Sequence, residues 1–259
     1  MRALIIPDRF PLKDGQWPKA MIAGIKKSGD EVQYYAGHRK GYDAYVMWGI
    51  RRRWYQQAGD STKIVIERGF LGERIKSNLM VGLNGLNGMA DFRTDDVTAD
   101  RWERWRGDLK AWKHSGEYAL IIGQKPNDSA LHGLDIHKWI ADTYKQSRKY
   151  YDQVYFRPHP EDPRPPKHIP QACPDFDEAV DRAKVVITYT SNAGLLAVMR
   201  GVPTISMHKG SMVYSVTSHS LDEPLYRLCR DDWGRRIAYS QWEMDEIADG
   251  LPWRHLTRG

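Results

Sequence analysis

The sequence predicts a two-lobed α/β protein. Short apolar runs alternate with helix-length amphipathic stretches, a second series of strands opens at Tyr118, and the total of 259 residues suits two lobes of roughly 110 to 140 residues. Strands alternating with helices imply parallel sheets covered on both faces, so each lobe is expected to be Rossmann-like, with a cleft between them. The expected boundaries are 1–115 for the first lobe, 116–240 for the second, and 241–259 for a terminal helix returning toward the first like a strap.

The first lobe opens with a buried strand at Arg2 to Ile6 that ends at Pro7-Asp8. A helix from Trp17 to Lys27 follows and stops at Gly29-Asp30, and further strands are predicted at Glu31–Tyr35, Ala44–Trp48 and Lys63–Glu67. Between Met80 and Arg93, Gly82-Leu83-Asn84-Gly85-Leu86-Asn87-Gly88 predicts a loop. It is either a turn-rich connection or a place where backbone approaches a ligand. From Ala99 to Lys113 the spacing predicts a helix with Trp102, Trp105, Leu109 and Trp112 in one arc and Arg106, Lys110 and Lys113 beside it. That arc is either core or a basic, aromatic-edged acceptor surface.

The second lobe begins with the strand Tyr118–Ile122, directly before Gly123-Gln124, and continues with a helix at Ile136–Ser147 and a strand at Gln153–Phe156. Pro158 to Pro174 has the composition of a structured loop. A strand at Val185–Tyr189, a polar turn, a helix at Leu195–Arg200 stopped by Gly201, and a strand at Val202–Ser206 complete the series. The last stretch, from Trp233 to Trp253, is predicted helical.

Composition narrows the partners. Lys and Arg number 39 against 33 Asp and Glu, so the net charge of +6 favours polyanions such as nucleic acid, nucleotide phosphates or acidic glycans. Ten tryptophans offer stacking faces for sugars or bases. Cys173 and Cys229 lack the spacing of a zinc site or a disulfide framework. No apolar run approaches the roughly 20 residues of a membrane span, and the opening residues lack the pattern of a secretion signal, so a cytoplasmic protein is expected.

Two segments carry the chemistry. Thr190-Ser191-Asn192 falls between a strand and a helix, where hydroxyl and amide groups cap the helix and free backbone N–H groups can meet a phosphate. Arg157-Pro158-His159-Pro160 follows another strand, which places a guanidinium and an imidazole over the same sheet edge. Arg157 suits bidentate phosphate contact, and His159 suits stabilisation of a departing nucleotide. After the Tyr118 strand, Gly123, Gln124 and Asp128 lie in a predicted turn, in which Gln124 can meet a base or ribose edge and Asp128 a ribose hydroxyl or the next helix. The spacing of a dinucleotide fingerprint or a P-loop is absent there. His208 and Lys209 are candidate contacts for sugar or phosphate.

The pair Phe156-Arg157-Pro158-His159-Pro160 and Ile187-Thr188-Tyr189-Thr190-Ser191-Asn192 resembles the His-Pro and Ser/Thr-Ser motifs of capsular Kdo transferases, bacterial polysialyltransferases and teichoic acid glycerophosphotransferases. The resemblance runs from Tyr118 onward. It implies the GT-B fold, a metal-independent transferase, and donor-site roles for His159, Thr190 and Ser191. In the first lobe, Glu67-Arg68-Gly69-Phe70-Leu71 and the following Gly-Leu-Asn-Gly loop are similar to an arrangement in the Kdo-type group. That places Glu67 as general base, with Asp91 in reserve; a capping or salt-bridged surface Glu is the alternative. No cofactor beyond a UDP- or CMP-sugar donor is implied, and no metal.

The acceptor stays open between DNA carrying a hydroxymethylated base and a capsular or other surface glycan. Arg51, Arg52 and Arg53, followed by Trp54-Tyr55, together with Arg106, favour DNA, since basic groups grip phosphates and aromatics hold an extruded base. The short chain also resembles phage-encoded enzymes, among which DNA-base glycosyltransferases are known. A non-catalytic nucleic-acid-binding protein is the reading from another class.

Overall fold

The structure, a computed structural model, describes residues 1–6, 16–35, 40–72 and 78–258. The predicted end of the first strand at Pro7-Asp8 lies outside the described residues. In chain order the first elements are β1 (Arg2–Ile5), α1 (Gln16–Lys27), β2 (Glu31–Tyr34), β3 (Ala44–Trp48), α2 (Arg52–Gln57), β4 (Thr62–Arg68) and β5 (Asn78–Leu83). There follow β6 (Tyr118–Ile122), α3 (Ile136–Ser147), β7 (Val154–Arg157), α4 (Phe176–Arg182), β8 (Ala183–Thr188), α5 (Ala193–Met199) and β9 (Thr204–Ser206). The chain closes with α6 (Asp231–Tyr239), β10 (Gln241–Glu243), α7 (Met244–Ala248) and α8 (Leu251–Arg258). Two compact units form, one from residues 1–102 and 234–259, the other from residues 103–233.

The first unit is built on a six-stranded sheet in the order β10-β5-β4-β3-β1-β2. Strands β2, β1, β3 and β4 are parallel, while β5 and β10 are antiparallel additions. Side chains alternate across it as a strand requires. Ala3, Ile5, Val46, Ile64 and Ile66 face a core with Trp17, Met21, Ile25 and Trp253, whereas Leu4, Ile6, Tyr45 and Met47 pack beside Tyr42 and Ala58. Each fully buried Leu, Ile or Met contributes roughly 1.5–3 kcal/mol.

Helix α1 meets α7 at Gly24, where a Cβ would lie 2.1 Å from the Ile247 carbonyl oxygen and 2.9 Å from Gly250 Cα. Those neighbours are backbone and cannot swing aside. Gly24→Ala therefore destabilises the first unit by about 1–3 kcal/mol, although alanine is the better helix former. Urea unfolding checks this, and an unchanged or raised midpoint would show that the two helices separate freely.

Residues 80–83, predicted as the start of a loop, are part of β5. Gly82 sits in the strand because the Phe92 ring covers it, 2.6 Å from where its Cβ would be. The glycines there serve close packing, and the turn proper runs from Asn84 to Met89. The predicted terminal helix is instead a helix, a strand and two further helices, with β10 pairing along β5. What fastens this returning segment is Arg101, which is 6% exposed. Its guanidinium donates to both carboxylate oxygens of Glu246 (2.6 and 2.8 Å) and to the carbonyls of Ala238 and Gln241, and it stacks 4.1 Å from the Trp242 ring.

The second unit holds a four-stranded, wholly parallel sheet in the order β7-β6-β8-β9. One face packs Ile121, Phe156 and Ile187 against Ile136 and Ile140 of α3, the other packs Leu120 and Val186 against Val180 and Ala197. The helix predicted at Ala99–Lys113 does not form. Two 3-10 turns, Trp102–Arg104 and Arg106–Asp108, give way to an irregular strap. Its tryptophans serve different cores: Trp102 packs over Gly234 in the first unit, and Trp112 lies 4.0 Å below the Arg230 guanidinium in the second. In the second unit the strap closes the end of α5, with Lys110 N donating to Met199 O and Lys113 N to Gly201 O. Gly201 takes φ +72°, the left-handed stop that a side chain would resist. Among the described residues no helix is long and apolar enough to cross a membrane.

Candidate functional site

In the second unit the chain runs from β6 outward to β7, then returns to the other side of β6 to form β8. The carboxyl ends of β6 and β8 thus flank a topological switch point, the place where open α/β sheets bind ligands. Gln124 follows β6 and Thr190 follows β8, and their side chains are clasped together. Gln124 Nε2 donates to Thr190 Oγ1 and Thr190 N donates to Gln124 Oε1, both at 2.9 Å; the Thr190 hydroxyl donates to the Ala130 carbonyl at 2.9 Å.

Both residues are buried, Thr190 at 1% and Gln124 at 7% exposure, with their polar groups engaged. They hold the turn in place, and their neighbours Ser191 and Asn192 are half-buried. Ser191 Oγ accepts from Ala193 N at 3.2 Å, which leaves its hydroxyl proton as a donor. Asn192 takes helical backbone angles and makes no capping bond, and its Oδ1 is enclosed without a hydrogen-bond partner among the described residues. Asp128 accepts from Ala130 N at 2.8 Å, so its position is that of a cap on the short turn Ser129–Leu131.

The His159 loop stands on the next strand. Gly123 N donates to Arg157 O at 2.9 Å, extending the β6–β7 ladder, and a Cβ on Gly123 would come within 3.2 Å of His159 N. His159 Nδ1 accepts from Glu161 N at 3.0 Å. The neutral ring is thereby fixed with its proton on Nε2, ready to donate. Burial lowers the His159 pKa, and the carboxylates of Glu161, Asp128 and Asp162 only partly oppose this, so the ring is neutral near pH 7.

Arg157 points to the opposite face from Phe156, lying 4.9 Å over the Phe176 ring and donating to Pro174 O at 3.4 Å, with Nε enclosed and unpartnered among the described residues. Its guanidinium is therefore partly spent on bracing the Pro-rich loop. Sequence reasoning passed over the loop's chief anchor. Asp162 is buried, receives Arg164 N at 3.1 Å and lies 2.8 Å from His137 Nε2 on α3, while its own N–H closes a turn onto His159 O. The signal was an aspartate three residues past the histidine, inside a loop that holds seven prolines from Pro158 to Pro174.

In the first unit, Glu67 lies near the carboxyl end of β4, beside Gly49, whose Cβ position would be 3.6 Å from Glu67 Oε2. Glu67 Oε1 accepts from Arg68 N. Arg51, Arg52 and Arg53 open α2, just after β3, and so share this edge of the sheet with Glu67. The Phe70-Leu71 turn that follows is held by buried Gln241, whose Oε1 receives both backbone N–H groups at 2.7 and 2.8 Å.

Asp91 is elsewhere. It bridges Leu83, at the far end of antiparallel β5, and pairs with Arg93, so it stands at the sheet edge opposite Glu67 and cannot substitute for it. The Asn84–Asn87 turn lies at that far edge too, tied to the start of β4 through Lys63 N and Asn84 Oδ1 at 3.0 Å. Arg106 belongs to the second unit and forms ion pairs with Glu103 and Asp231, so it does not join Arg51–Arg53 in one patch of a single unit. Among the described residues no group of three or more His, Cys, Asp or Glu is placed to hold a metal ion.

No protein-family model matches the sequence, and no curated protein sequence does. Solved structures do match. A β-Kdo 2,7-transferase, KpsC of Thermosulfurimonas dismutans, superposes with a TM-score of 0.60 at 14% identity, covering 97% of this chain and 98% of that one. The β-Kdo 2,4-transferase of KpsC from the same organism gives 0.62 at 15% identity, covering 92% and 89%. At such identities the likeness is one of architecture, and with the two sheets described above it shows that the chain has the GT-B fold, two Rossmann-like lobes, in the form seen in the capsular Kdo transferases.

Proposed function

We propose that the chain is a glycosyltransferase that takes its sugar from a nucleotide-activated donor held in the second unit. The observation that carries this is the Gln124–Thr190 clasp at the switch point, with Ser191, Asn192 and the His159 loop arranged around it. Likeness of fold to two Kdo transferases agrees with the reading. In this proposal Ser191 and His159 Nε2–H donate to the phosphate, and Arg157 adds positive charge behind them. An acceptor hydroxyl attacks the anomeric carbon, the bond to phosphate oxygen breaks, and the nucleotide departs with the electron pair. His159 stabilises that growing charge. Glu67 accepts the acceptor's proton; of the two carboxylates considered, it alone lies at the carboxyl edge of its sheet.

For the acceptor, Arg51–Arg53 at the Glu67 edge and the net charge of +6 favour a polyanion. We place DNA with a hydroxymethylated base first and a surface glycan second. The test is a mass-spectrometric transfer assay with UDP-, CMP- and GDP-sugars against hydroxymethylated duplex DNA, unmodified DNA and short glycans. A sugar-sized mass gain on hydroxymethylated DNA alone is the expected result. Gain on glycan alone removes DNA as acceptor, and DNA binding with no transfer or donor hydrolysis removes the enzyme reading in favour of a binding protein.

A further inference from the structure

A second group of side chains on the same sheet edge has no part in the scheme above. Tyr189 follows β8, His208 follows β9, and His132 follows the turn Ser129–Leu131. The Tyr189 and His208 rings stack at 4.9 Å, and His132 lies 4.8 Å from His208. Trp139 closes the far side of Tyr189 at 5.9 Å. Both imidazoles rest on the backbone of Gly210, where a Cβ would come 2.9 Å from His132 Nε2 and 3.0 Å from His208 Nδ1.

Two features argue for use and not mere packing. His132 holds φ +51°, a left-handed conformation that non-glycine residues adopt uncommonly, and the residue is exposed. His208 Nδ1 accepts from Gly210 N at 3.0 Å, which fixes its proton on Nε2 as a donor. Burial, with smaller contributions from His132 and Lys209, lowers the His208 pKa, so its ring is neutral near pH 7.

We propose that His132 and His208 form a second anion-binding subsite, one strand beyond the Thr190–Ser191 turn, for a further anionic group of the donor, either its second phosphate or a sugar carboxylate. This rests on the donor reading given above. The scale fits: strands lie about 4.8 Å apart, so β8 to β9 is one step and β7 to β9 about 14 Å, within the length of a nucleotide sugar.

The test uses the whole chain, titrated calorimetrically with UMP and UDP, and with CMP and CMP-N-acetylneuraminate. The variant is His132→Asn with His208→Asn. Asparagine tolerates the left-handed backbone at 132 and still accepts from Gly210 N at 208, while removing both imidazoles. His208→Asn alone serves if the double variant has a lowered melting temperature. Wild type is expected to prefer UDP or CMP-N-acetylneuraminate, each of which carries a second anionic group, over its parent by about tenfold, and the variant to lose that preference while binding UMP and CMP within about twofold. Loss in the uridine pair assigns the second phosphate, and loss in the cytidine pair the carboxylate. A preference that survives in the variant, or none in wild type, overturns the subsite but leaves the donor site standing. If none of the four nucleotides binds, the donor reading itself has failed and the subsite falls with it.

Discussion

His159→Asn lowers the transfer rate constant by about a hundredfold or more while the protein stays folded and still binds its donor. Asparagine keeps an acceptor for Glu161 N, where His159 Nδ1 now accepts at 3.0 Å, so the turn closed by Asp162 N and His159 O persists. What it loses is the Nε2–H that donates to the leaving phosphate in the reaction proposed above. Removing one donor aimed at transition-state charge typically costs about 10²–10³ in rate. Because that charge grows only as the glycosidic bond breaks, kcat should fall far more than the dissociation constant for the donor rises. Single-turnover transfer with an active donor and acceptor, alongside calorimetric donor binding, separates the two. Near-normal transfer by His159→Asn with a loss in His159→Ala would mean that the ring serves only the loop, and the leaving-group role would be withdrawn.

Arg101→Met costs the first unit about 3–5 kcal/mol. The Arg101 side chain is 7% exposed and its partner Glu246 13%, so the substitution leaves a largely buried carboxylate at the start of α7 without its cation. Glu246 still accepts from Glu243 N at 2.8 Å, but it loses the bidentate cation that neutralises it. The carbonyls of Ala238 and Gln241 lose their donor as well. Adding Glu246→Leu to Arg101→Met should restore most of the loss, since an apolar pair of similar volume often replaces a buried ion pair without cost. Thermal unfolding of wild type, single and double variants decides it. A single variant as stable as wild type would show that the returning segment is held by its apolar contacts alone.

Much of the fold was legible because it is written in local pattern. Strands β1, β3, β4, β6 and β8 appear in the sequence as apolar runs, and α1 and α3 as amphipathic repeats between them, so periodicity found them within a residue or two. Two elements that escaped, β5 and β10, are held by long-range pairing with each other. The glycine of β5 signalled a loop when its purpose is to admit Phe92, and β10 is three residues inside a stretch with helical spacing. The Trp102–Trp112 repeat misled for the opposite reason. Its period is real, but its two ends are claimed by different units, and the residues between them form two 3-10 turns and an irregular stretch instead of one helix.

By itself the sequence determined the alternation that makes two parallel sheets, the polar turns that follow β6, β7 and β8, and the identity of the residues in them. These depend on chain-local propensity, strand period and the glycines, prolines and capping residues that end each element. Tertiary structure alone decided which members of those turns hold the others and which keep a polar group unspent. Gln124 and Thr190 spend their polar groups on each other because topology places β8 beside β6, while Ser191 and His159 are left with a proton to donate. It also separated Glu67 from Asp91, since an antiparallel strand between them carries the chain to the other edge of the sheet. Strand order and direction arise from burial summed over the whole unit, and no window of sequence contains them.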